Sequence, residues 1–300
     1  MSGISVKAGG ISFETPGILA SGILDENGYT MKRILQEGAG GAVTKSIGVE
    51  ERPGYVPPVV FESHGGIINA MGLPNPGIDN FGAEISKAKE SAKPVIGSIF
   101  ASTPEQFLKL AERMVDYGVS AIELNLSCPH VRGFGAEVGS DPILVKEIVK
   151  ILKGSISIPI WSKLSPNVTD ILSIASAASE SDAIVLINTV RAMAIDIYAR
   201  MPVLTNTYGG LSGRAVKPIG LRLVYEVKKE LGLEIIGVGG ISTWEDAMEY
   251  VMAGASAFQV GTALWNHGRS VFNEINEGLA SFMKEHKIKN LTELRGVAIR

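Results

Sequence analysis

The chain has 300 residues, 45% of them hydrophobic, with a formal net charge of −3 and a single cysteine. This charge excludes the broad basic field of a nucleic-acid-binding protein, and one cysteine cannot form a disulfide framework or ligate an iron–sulfur cluster alone. No segment approaches the roughly 18 apolar residues of a membrane span, and the N-terminus lacks a signal-peptide pattern. We therefore predict a cytoplasmic protein that binds no nucleic acid, membrane or metal.

Short apolar segments rich in Val and Ile predict eight strands. Their predicted bounds are Ile18–Ser21, Ala42–Lys45, Val95–Phe100, Ala121–Asn125, Ile160–Lys163, Ala183–Asn188, Ile235–Val238 and Phe258–Val260. Helical patterns separate or follow them, at Gly28–Glu37, Asp79–Ser91, Pro104–Tyr117, Pro142–Leu152, Asp170–Ala178, Gly220–Leu231, Thr243–Met252 and Val271–Glu285. Cap signatures at Thr103-Pro104-Glu105 and at Ser242-Thr243-Trp244-Glu245 support two of these helices.

Eight apolar strands that alternate with eight helices predict a parallel (β/α)8 barrel, because continuous apolar strands need cover on both faces. A doubly wound open sheet is the competing architecture. Since α/β barrels of this length commonly form one unit, we expect a single barrel domain over residues 1–300.

Three segments are additional to the eight strands and eight helices of a minimal barrel. The sequence "ISVKAGGISF" alternates around Gly9-Gly10 and predicts a hairpin that closes the barrel floor. Gly/Pro-rich stretches run from Gly48 to Gly77 and from Arg191 to Pro218. Both follow strands, so we expect them to cover the face where barrel active sites lie.

Polar residues end several of the apolar strands. Lys45, Asn125 and Lys163 end the second, fourth and fifth strands, and Asn188-Thr189 end the sixth. A single such residue is usually solvated at the barrel rim, but several at one face favour a polar pocket, because buried polar groups need partners.

Two glycine motifs follow the last strands. Gly239-Gly240 follows the seventh strand and Gly261-Thr262 follows the eighth, where barrels often hold a phosphate group on backbone N–H groups. Glycine ends many strands for turn geometry alone, so each motif by itself is weak. The loop "YGGLSG" at Tyr208–Gly213 is a third candidate for the same ligand, or a flexible hinge.

Together these residues predict a phosphorylated cofactor with lysines near its reactive end. Lys163 suits a ring that becomes anionic, such as a reduced flavin, because fixed positive charge stabilises developing negative charge. A Schiff base on Lys45 or Lys163, as in a flavin-free lyase or aldolase, is the alternative chemistry. A non-catalytic binding barrel is a third and less favoured possibility.

Six motifs carry a family resemblance from Ile18 to the final helix: "NAMGLPNPG" (Asn69–Gly77), "NLSCP" (Asn125–Pro129), "KLSPNVTD" (Lys163–Asp170), "YGGLSG", "GVGGI" and "VGTA". In combination they resemble the class 1 dihydroorotate dehydrogenases. The resemblance implies a barrel that binds flavin mononucleotide (FMN) and oxidises dihydroorotate to orotate in pyrimidine biosynthesis.

The resemblance also implies a set of contacts, position by position. The residues matched to the flavin are Ala20, Ser21, Lys45, Ser46, Asn125, Lys163, Gly213, Gly239, Gly240, Gly261 and Thr262. The residues matched to the pyrimidine substrate are Lys45, Asn69, Met71, Gly72, Leu73, Asn125, His130, Asn188 and Thr189.

Cys128 matches the family's catalytic base, which takes a proton from substrate C5 while a hydride leaves C6. A thiol becomes a competent base once nearby positive charge or hydrogen bonds favour its thiolate. A lone cysteine is usually buried and inert, but this one follows a strand on the active face. Lys163 is the second predicted catalytic residue.

His130 departs from the family pattern, which usually has Asn there. "SCPH" is similar instead to the pyrimidine-reducing domain of dihydropyrimidine dehydrogenases, which makes reduction of uracil or thymine the nearest rival activity. Those enzymes have an acidic side chain where this chain has Met71-Gly72, so dihydroorotate is favoured.

Electron transfer distinguishes the subclasses. Class 1A relatives are homodimers that reduce fumarate, whereas class 1B relatives couple to a separate flavin and iron–sulfur subunit that reaches NAD. The loop "CPHVRGFGAEVGSDP" resembles class 1B slightly more. We therefore predict a 1B-like catalytic subunit with a homodimeric core and a separate iron–sulfur flavoprotein partner.

Overall fold

A closed barrel of eight parallel strands forms the centre of the molecule in the computed structural model, which describes residues 3–126 and 138–300. The barrel strands, numbered first to eighth along the chain, are Gly17–Leu19, Gly41–Val43, Val95–Ile99, Ala121–Asn125, Ile160–Leu164, Ala183–Leu186, Ile235–Val238 and Ala257–Val260. Each pairs with its neighbour in sequence, and the eighth pairs with the first. The predicted (β/α)8 barrel is confirmed, and an open sheet is excluded.

Helices surround this barrel. Within the described ranges they are Gly28–Gln36, Gly82–Lys89, Pro104–Asp116, Pro142–Ser155, Ile171–Ala177, Lys217–Leu231, Trp244–Met252, Ala263–His267 and Val271–Glu285. Their apolar stripes recur every three or four residues, which places one face of each helix on the strands. For example, Pro104–Asp116 buries Phe107, Leu110, Ala111 and Met114.

The predicted cap at Thr103 is confirmed, whereas the cap predicted from Ser242 and Glu245 forms one residue later. The Thr103 hydroxyl accepts a hydrogen bond from the backbone N–H of Gln106, and Pro104 occupies the first turn. Thr243 and Asp246 form a reciprocal capping box. These contacts satisfy N–H groups that have no partner inside the helix.

Three helix predictions differ from the structure by three residues at one end. The helix predicted to end at Leu152 continues to Ser155. The helix predicted from Gly220 begins at Lys217, because Pro218 lies in its first turn, where proline's missing N–H costs nothing. The segment predicted as one helix over Asp79–Ser91 is a 3-10 turn, Ile78–Asn80, followed by the helix Gly82–Lys89.

The N-terminal hairpin pairs the strands Val6–Ala8 and Ile11–Phe13 around Gly9 and Gly10, as predicted. It packs against the beginnings of the barrel strands: the indole N–H of Trp161 donates to the Gly9 carbonyl at 2.8 Å. Phe13 lies against the same indole, with ring centroids 6.4 Å apart. The hairpin therefore closes the floor of the barrel.

The two long inserted segments are more regular than the sequence indicated. They build an antiparallel sheet in which Val60–Ser63, Gly66–Asn69, Gly209–Ser212 and Val190–Ala192 are neighbours in that order. Two further strand pairs join Glu51–Arg52 to Asn75–Pro76 and Ile195–Asp196 to Met201–Pro202. The segment after the second strand is thereby tied to the segment after the sixth.

The close contact between Gly9 and Trp161 at the barrel floor leaves no room for a side chain on Gly9. Gly9 has a φ of 52°, and a Cβ there would lie 2.2 Å from Trp161 Nε1. We expect Gly9→Ala to lower the free energy of unfolding by about 3 kcal/mol, because it adds left-handed strain to overpacking. Urea unfolding followed by tryptophan fluorescence measures this loss.

Gly154→Ala is the matched control. Gly154 lies in the helix Pro142–Ser155, and a Cβ there would meet nothing within 4 Å. Alanine should leave stability unchanged or raise it by about 0.5–1 kcal/mol, since glycine weakens helices. Equal stabilities of Gly9→Ala and the wild type would contradict the floor assignment.

Candidate active site

A cavity of about 340 Å³ opens where the barrel strands end at their carboxyl termini. Its walls come from the loops after the strands and from the inserted antiparallel sheet. Every predicted site residue that the structure describes lines it: Ala20, Ser21, Lys45, Ser46, Asn69, Met71, Gly72, Leu73, Asn125, Lys163, Asn188, Thr189, Gly213, Gly239, Gly240, Gly261 and Thr262. Residues from widely separated parts of the sequence thus meet at one pocket.

A chain of hydroxyl and amide side chains crosses the cavity wall. Ser46 Oγ lies 2.8 Å from Ser98 Oγ and accepts a hydrogen bond from Asn125 Nδ2 at 3.0 Å. Asn188 Nδ2 donates to Asn125 Oδ1 at 3.4 Å, and Asn188 Oδ1 accepts from the Thr189 backbone at 2.7 Å. Each amide is therefore held in a defined orientation.

Lys45 lies two residues beyond the end of the second strand rather than within it. Its Nζ is 3.1 Å from Glu26 Oε1, and its backbone N–H donates to the Asp25 carbonyl at 3.1 Å. Burial raises the pKa of Asp25, while the Lys45 ammonium opposes that rise. Asp25 Oδ2 also accepts from the Gly22 backbone at 2.6 Å, so the carboxyl group shapes the loop after the first strand.

Lys163 is buried inside the barrel, with only 5% of its surface exposed. Its Nζ donates to Gln259 Oε1 at 3.1 Å and lies 3.4 Å from Glu123 Oε1. Gln259 Nε2 donates to Glu123 Oε2 at 2.5 Å, which closes a three-residue network across the barrel.

Glu123 and Gln259 were missed in the sequence interpretation, which considered only strand ends. Glu123 is the middle residue of the fourth strand, and Gln259 lies within the eighth. A charged or amide side chain inside an otherwise apolar, fully buried strand is itself a signal, since such a group needs a buried partner.

The segment after the strand Gly66–Asn69 has a fixed backbone path. Gly72 and Leu73 have φ angles of 77° and 57°, and a Cβ on Gly72 would lie 2.8 Å from the backbone nitrogen of Tyr55. Tyr55 donates its backbone N–H to the Met71 carbonyl at 2.9 Å. These contacts hold the loop over one side of the cavity.

Three glycine-containing loops converge at another edge of the cavity. A Cβ on Gly240, whose φ is 74°, would lie 2.8 Å from both the Gly213 carbonyl oxygen and the Lys217 backbone nitrogen. A Cβ on Gly213 would lie 3.3 Å from Thr262 Cγ2, and Thr262 Oγ1 donates to Ser212 Oγ at 2.8 Å. Glycine is therefore required for backbone-to-backbone contact here.

Side chains behind these loops fix their shape. Tyr250 donates its hydroxyl to the Gly239 carbonyl at 2.7 Å, and burial raises the pKa of Tyr250, so it remains a donor. Asp246 accepts from the Ser242 and Thr243 backbone N–H groups at 2.9 and 3.1 Å. Burial opposes the Asp246 charge, but hydrogen bonds from Lys217 and the Ser242 backbone outweigh it and lower the pKa of Asp246.

Cys128 and His130, predicted as the base and as a substrate contact, lie outside the described residues. In the parts of the chain that the structure does describe, no group of three or more His, Cys, Asp or Glu side chains is arranged to hold a metal ion. Across those same ranges, every helix is too short or too polar to cross a membrane.

Comparison with known proteins agrees with the resemblance of the motifs. The family model described as dihydroorotate dehydrogenase matches residues 4–283. A protein of Thermoplasma acidophilum is 61% identical and one of Thermoplasma volcanium 60%, each over the full length of both chains. A Pyrococcus abyssi protein is 49% identical over 99% of each chain.

All three relatives are named dihydroorotate dehydrogenase B (NAD(+)), catalytic subunit. The predicted likeness to the 1B catalytic subunits is thus confirmed. With a matching family model and relatives this similar over their whole length, the chain belongs to the dihydroorotate dehydrogenase family.

Proposed function

We propose that this chain oxidises dihydroorotate to orotate in pyrimidine biosynthesis, with FMN as the cofactor in the cavity. One observation carries this proposal: the family's matched cofactor and substrate positions, wherever the structure describes them, line the same cavity. The relatives' name supports the substrate, and membership of a flavin-dependent family supports the cofactor class.

The residues of the cavity fit FMN at both of its ends. The close-packed glycine backbone at Gly213 and Gly240, beside Thr262, offers N–H groups without obstructing side chains, as a phosphate requires. At the other end, the buried ammonium of Lys163 suits the electron-rich edge of the ring. When bound, FMN would accept a hydride from the substrate.

Polar side chains on the substrate side of the cavity suit a planar anionic pyrimidine. The Lys45 ammonium supplies a positive charge, and the amides of Asn69, Asn125 and Asn188 supply directional hydrogen bonds. The Gly72–Leu73 backbone borders the same space and carries no acidic side chain. An open backbone of this kind suits the carboxylate of orotate, a negatively charged group that uracil and thymine lack.

Cys128 completes the proposed chemistry. Its thiolate would take the proton from C5 of dihydroorotate, while the hydride leaves C6, so one C–C double bond forms and two electrons leave the substrate. Asn125 and Asn188 would hold the pyrimidine so that C5 faces Cys128. Lys163 would stabilise the negative charge that the cofactor gains.

The electrons must then leave the chain. Because the relatives are named as catalytic subunits of an NAD(+)-type enzyme, we propose a separate flavin and iron–sulfur subunit as the acceptor. The family resemblance of the motifs implies that this subunit binds a homodimer of this chain.

Anaerobic titration tests the substrate. Dihydroorotate should bleach the visible absorbance of the bound flavin stoichiometrically, because its carboxylate and ring match the polar lining of the cavity. Dihydrouracil, which lacks the carboxylate, should bleach it far less. Preferential bleaching by dihydrouracil would indicate the dihydropyrimidine dehydrogenase-like activity, and trapping of a keto substrate on a colourless protein by borohydride would indicate a Schiff-base enzyme.

Cys128→Ala tests the base. The variant should retain FMN but lose bleaching by dihydroorotate, with a fall in rate of at least about 100-fold, the usual contribution of a general base. Stopped-flow absorbance under anaerobic conditions gives the rate, and a flavin spectrum confirms that the cofactor is still bound. Bleaching at the wild-type rate would remove Cys128 from the mechanism.

Gly240→Ala tests the phosphate end. The added Cβ would contact the Gly213 carbonyl and the Lys217 backbone, so the loops must separate. We expect the affinity of the apoprotein for FMN to fall at least about tenfold, equivalent to about 1.4 kcal/mol. Quenching of FMN fluorescence during titration measures the dissociation constant.

Gly268→Ala is the control for backbone strain. Gly268 also has a positive φ, 65°, but a Cβ there would meet nothing within 4 Å. Both substitutions place a side chain at a positive φ, but only Gly240→Ala disturbs the cavity, so Gly268→Ala should leave the FMN dissociation constant unchanged. An equal loss of affinity in both variants would contradict the assignment of the phosphate end.

A further inference from the structure

Glu123 is a fully buried carboxylate in the interior of the barrel. It lies in the fourth strand, two residues before Asn125. Since alternate residues of a strand share a face, Glu123 is on the same face as Asn125, which lines the cavity. Lys163 in the fifth strand and Gln259 in the eighth meet it from other parts of the wall. A carboxylate in such a place is costly unless a cation and hydrogen bonds compensate it.

Gln259 can bridge these two charges in only one orientation. An ammonium group only donates and a carboxylate only accepts, whereas an amide does both. Gln259 Oε1 accepts from Lys163 at 3.1 Å, and Gln259 Nε2 donates to Glu123 at 2.5 Å. The amide thus links the positive and negative charges and fixes their separation.

The second carboxylate oxygen shows that the contact between Glu123 and Lys163 is mainly electrostatic. Glu123 Oε1 lies 3.4 Å from Lys163 Nζ, yet it accepts no hydrogen bond from the described residues. Because the two opposite charges lie so close together, their combined electric field in the cavity is much weaker than the field of Lys163 alone. Without Glu123, the positive charge of Lys163 would act on the cavity undiminished.

We propose that Glu123, through Gln259, is a positioning residue that holds the Lys163 ammonium at the cavity and moderates its charge, thereby setting the reduction potential of the bound flavin. This inference rests on the proposed binding of FMN beside Lys163. A bare lysine would favour the electron-rich reduced cofactor strongly and retain its electrons. A lysine paired with Glu123 favours it less, which eases onward transfer to an acceptor.

Glu123→Gln tests this role, because it removes the negative charge with little change in volume. The midpoint potential of the bound FMN, measured by anaerobic equilibration with a reference dye, should rise. We expect the equilibrium constant for two-electron reduction to increase at least tenfold, equivalent to about 30 mV. A residue that only maintained the fold would change stability without moving the potential in this direction.

Two further variants complete this measurement. Glu123→Asp keeps the negative charge but moves it away from Lys163 by the length of one methylene group, so the potential should rise by less than in Glu123→Gln. This variant supplies the result if Glu123→Gln does not fold. Glu112→Gln makes the same change of charge on an exposed helix position and should leave the potential unchanged.

The apoprotein supplies a readout that does not depend on flavin. Glu123→Gln leaves a buried lysine without its counter-ion, whereas Glu123→Gln combined with Lys163→Met removes both charges. We therefore expect the double variant to recover part of the stability lost in the Glu123→Gln single variant, since removal of a whole buried pair is tolerated better than removal of one partner. Urea unfolding of the apoproteins measures this coupling.

A potential that is unchanged in both Glu123→Gln and Glu123→Asp would overturn the proposed role of Glu123. Additive losses of stability in the single and double variants would also count against it. Failure of the wild-type apoprotein to bind FMN is a separate outcome, which would overturn the proposed function itself.

Discussion

The burial of one positive charge inside an apolar barrel is the constraint on which the rest of the site depends. Lys163 can occupy the barrel interior because Glu123 compensates its charge and Gln259 accepts a hydrogen bond from its ammonium group, each from another strand. Their contact requires the strands to close into a ring, since the fourth and eighth strands are not neighbours. Barrel closure and the charge presented to the cavity are therefore linked.

The opposite end of the cavity depends on the absence of side chains. Gly213 and Gly240 come from loops after different barrel strands, and their backbones approach too closely for a Cβ. Tyr250 and Asp246 hold the adjacent carbonyl and N–H groups from behind. The cavity thus combines a buried cation at one end with rigid, uncovered backbone at the other, a combination that suits a ligand with a ring and a phosphate.

The sequence predicted the barrel well, because parallel strands are buried on both faces and show as short Val/Ile-rich runs. It predicted the inserted antiparallel sheet poorly, since strands of two to four residues such as Gly66–Asn69 are too short to show alternation. Strand-end residues such as Lys45 and Asn188 were found because carboxyl ends of parallel strands converge. Glu123 and Gln259 were missed because their pairing depends on contacts across the closed barrel.

A crystal structure of the protein with FMN bound tests the central claim most directly. The account predicts that the pyrimidine edge of the ring contacts Lys163 Nζ and that the phosphate lies among the loops containing Gly213, Gly240 and Thr262. A flavin bound in the reverse direction, or at any site away from this cavity, would contradict it.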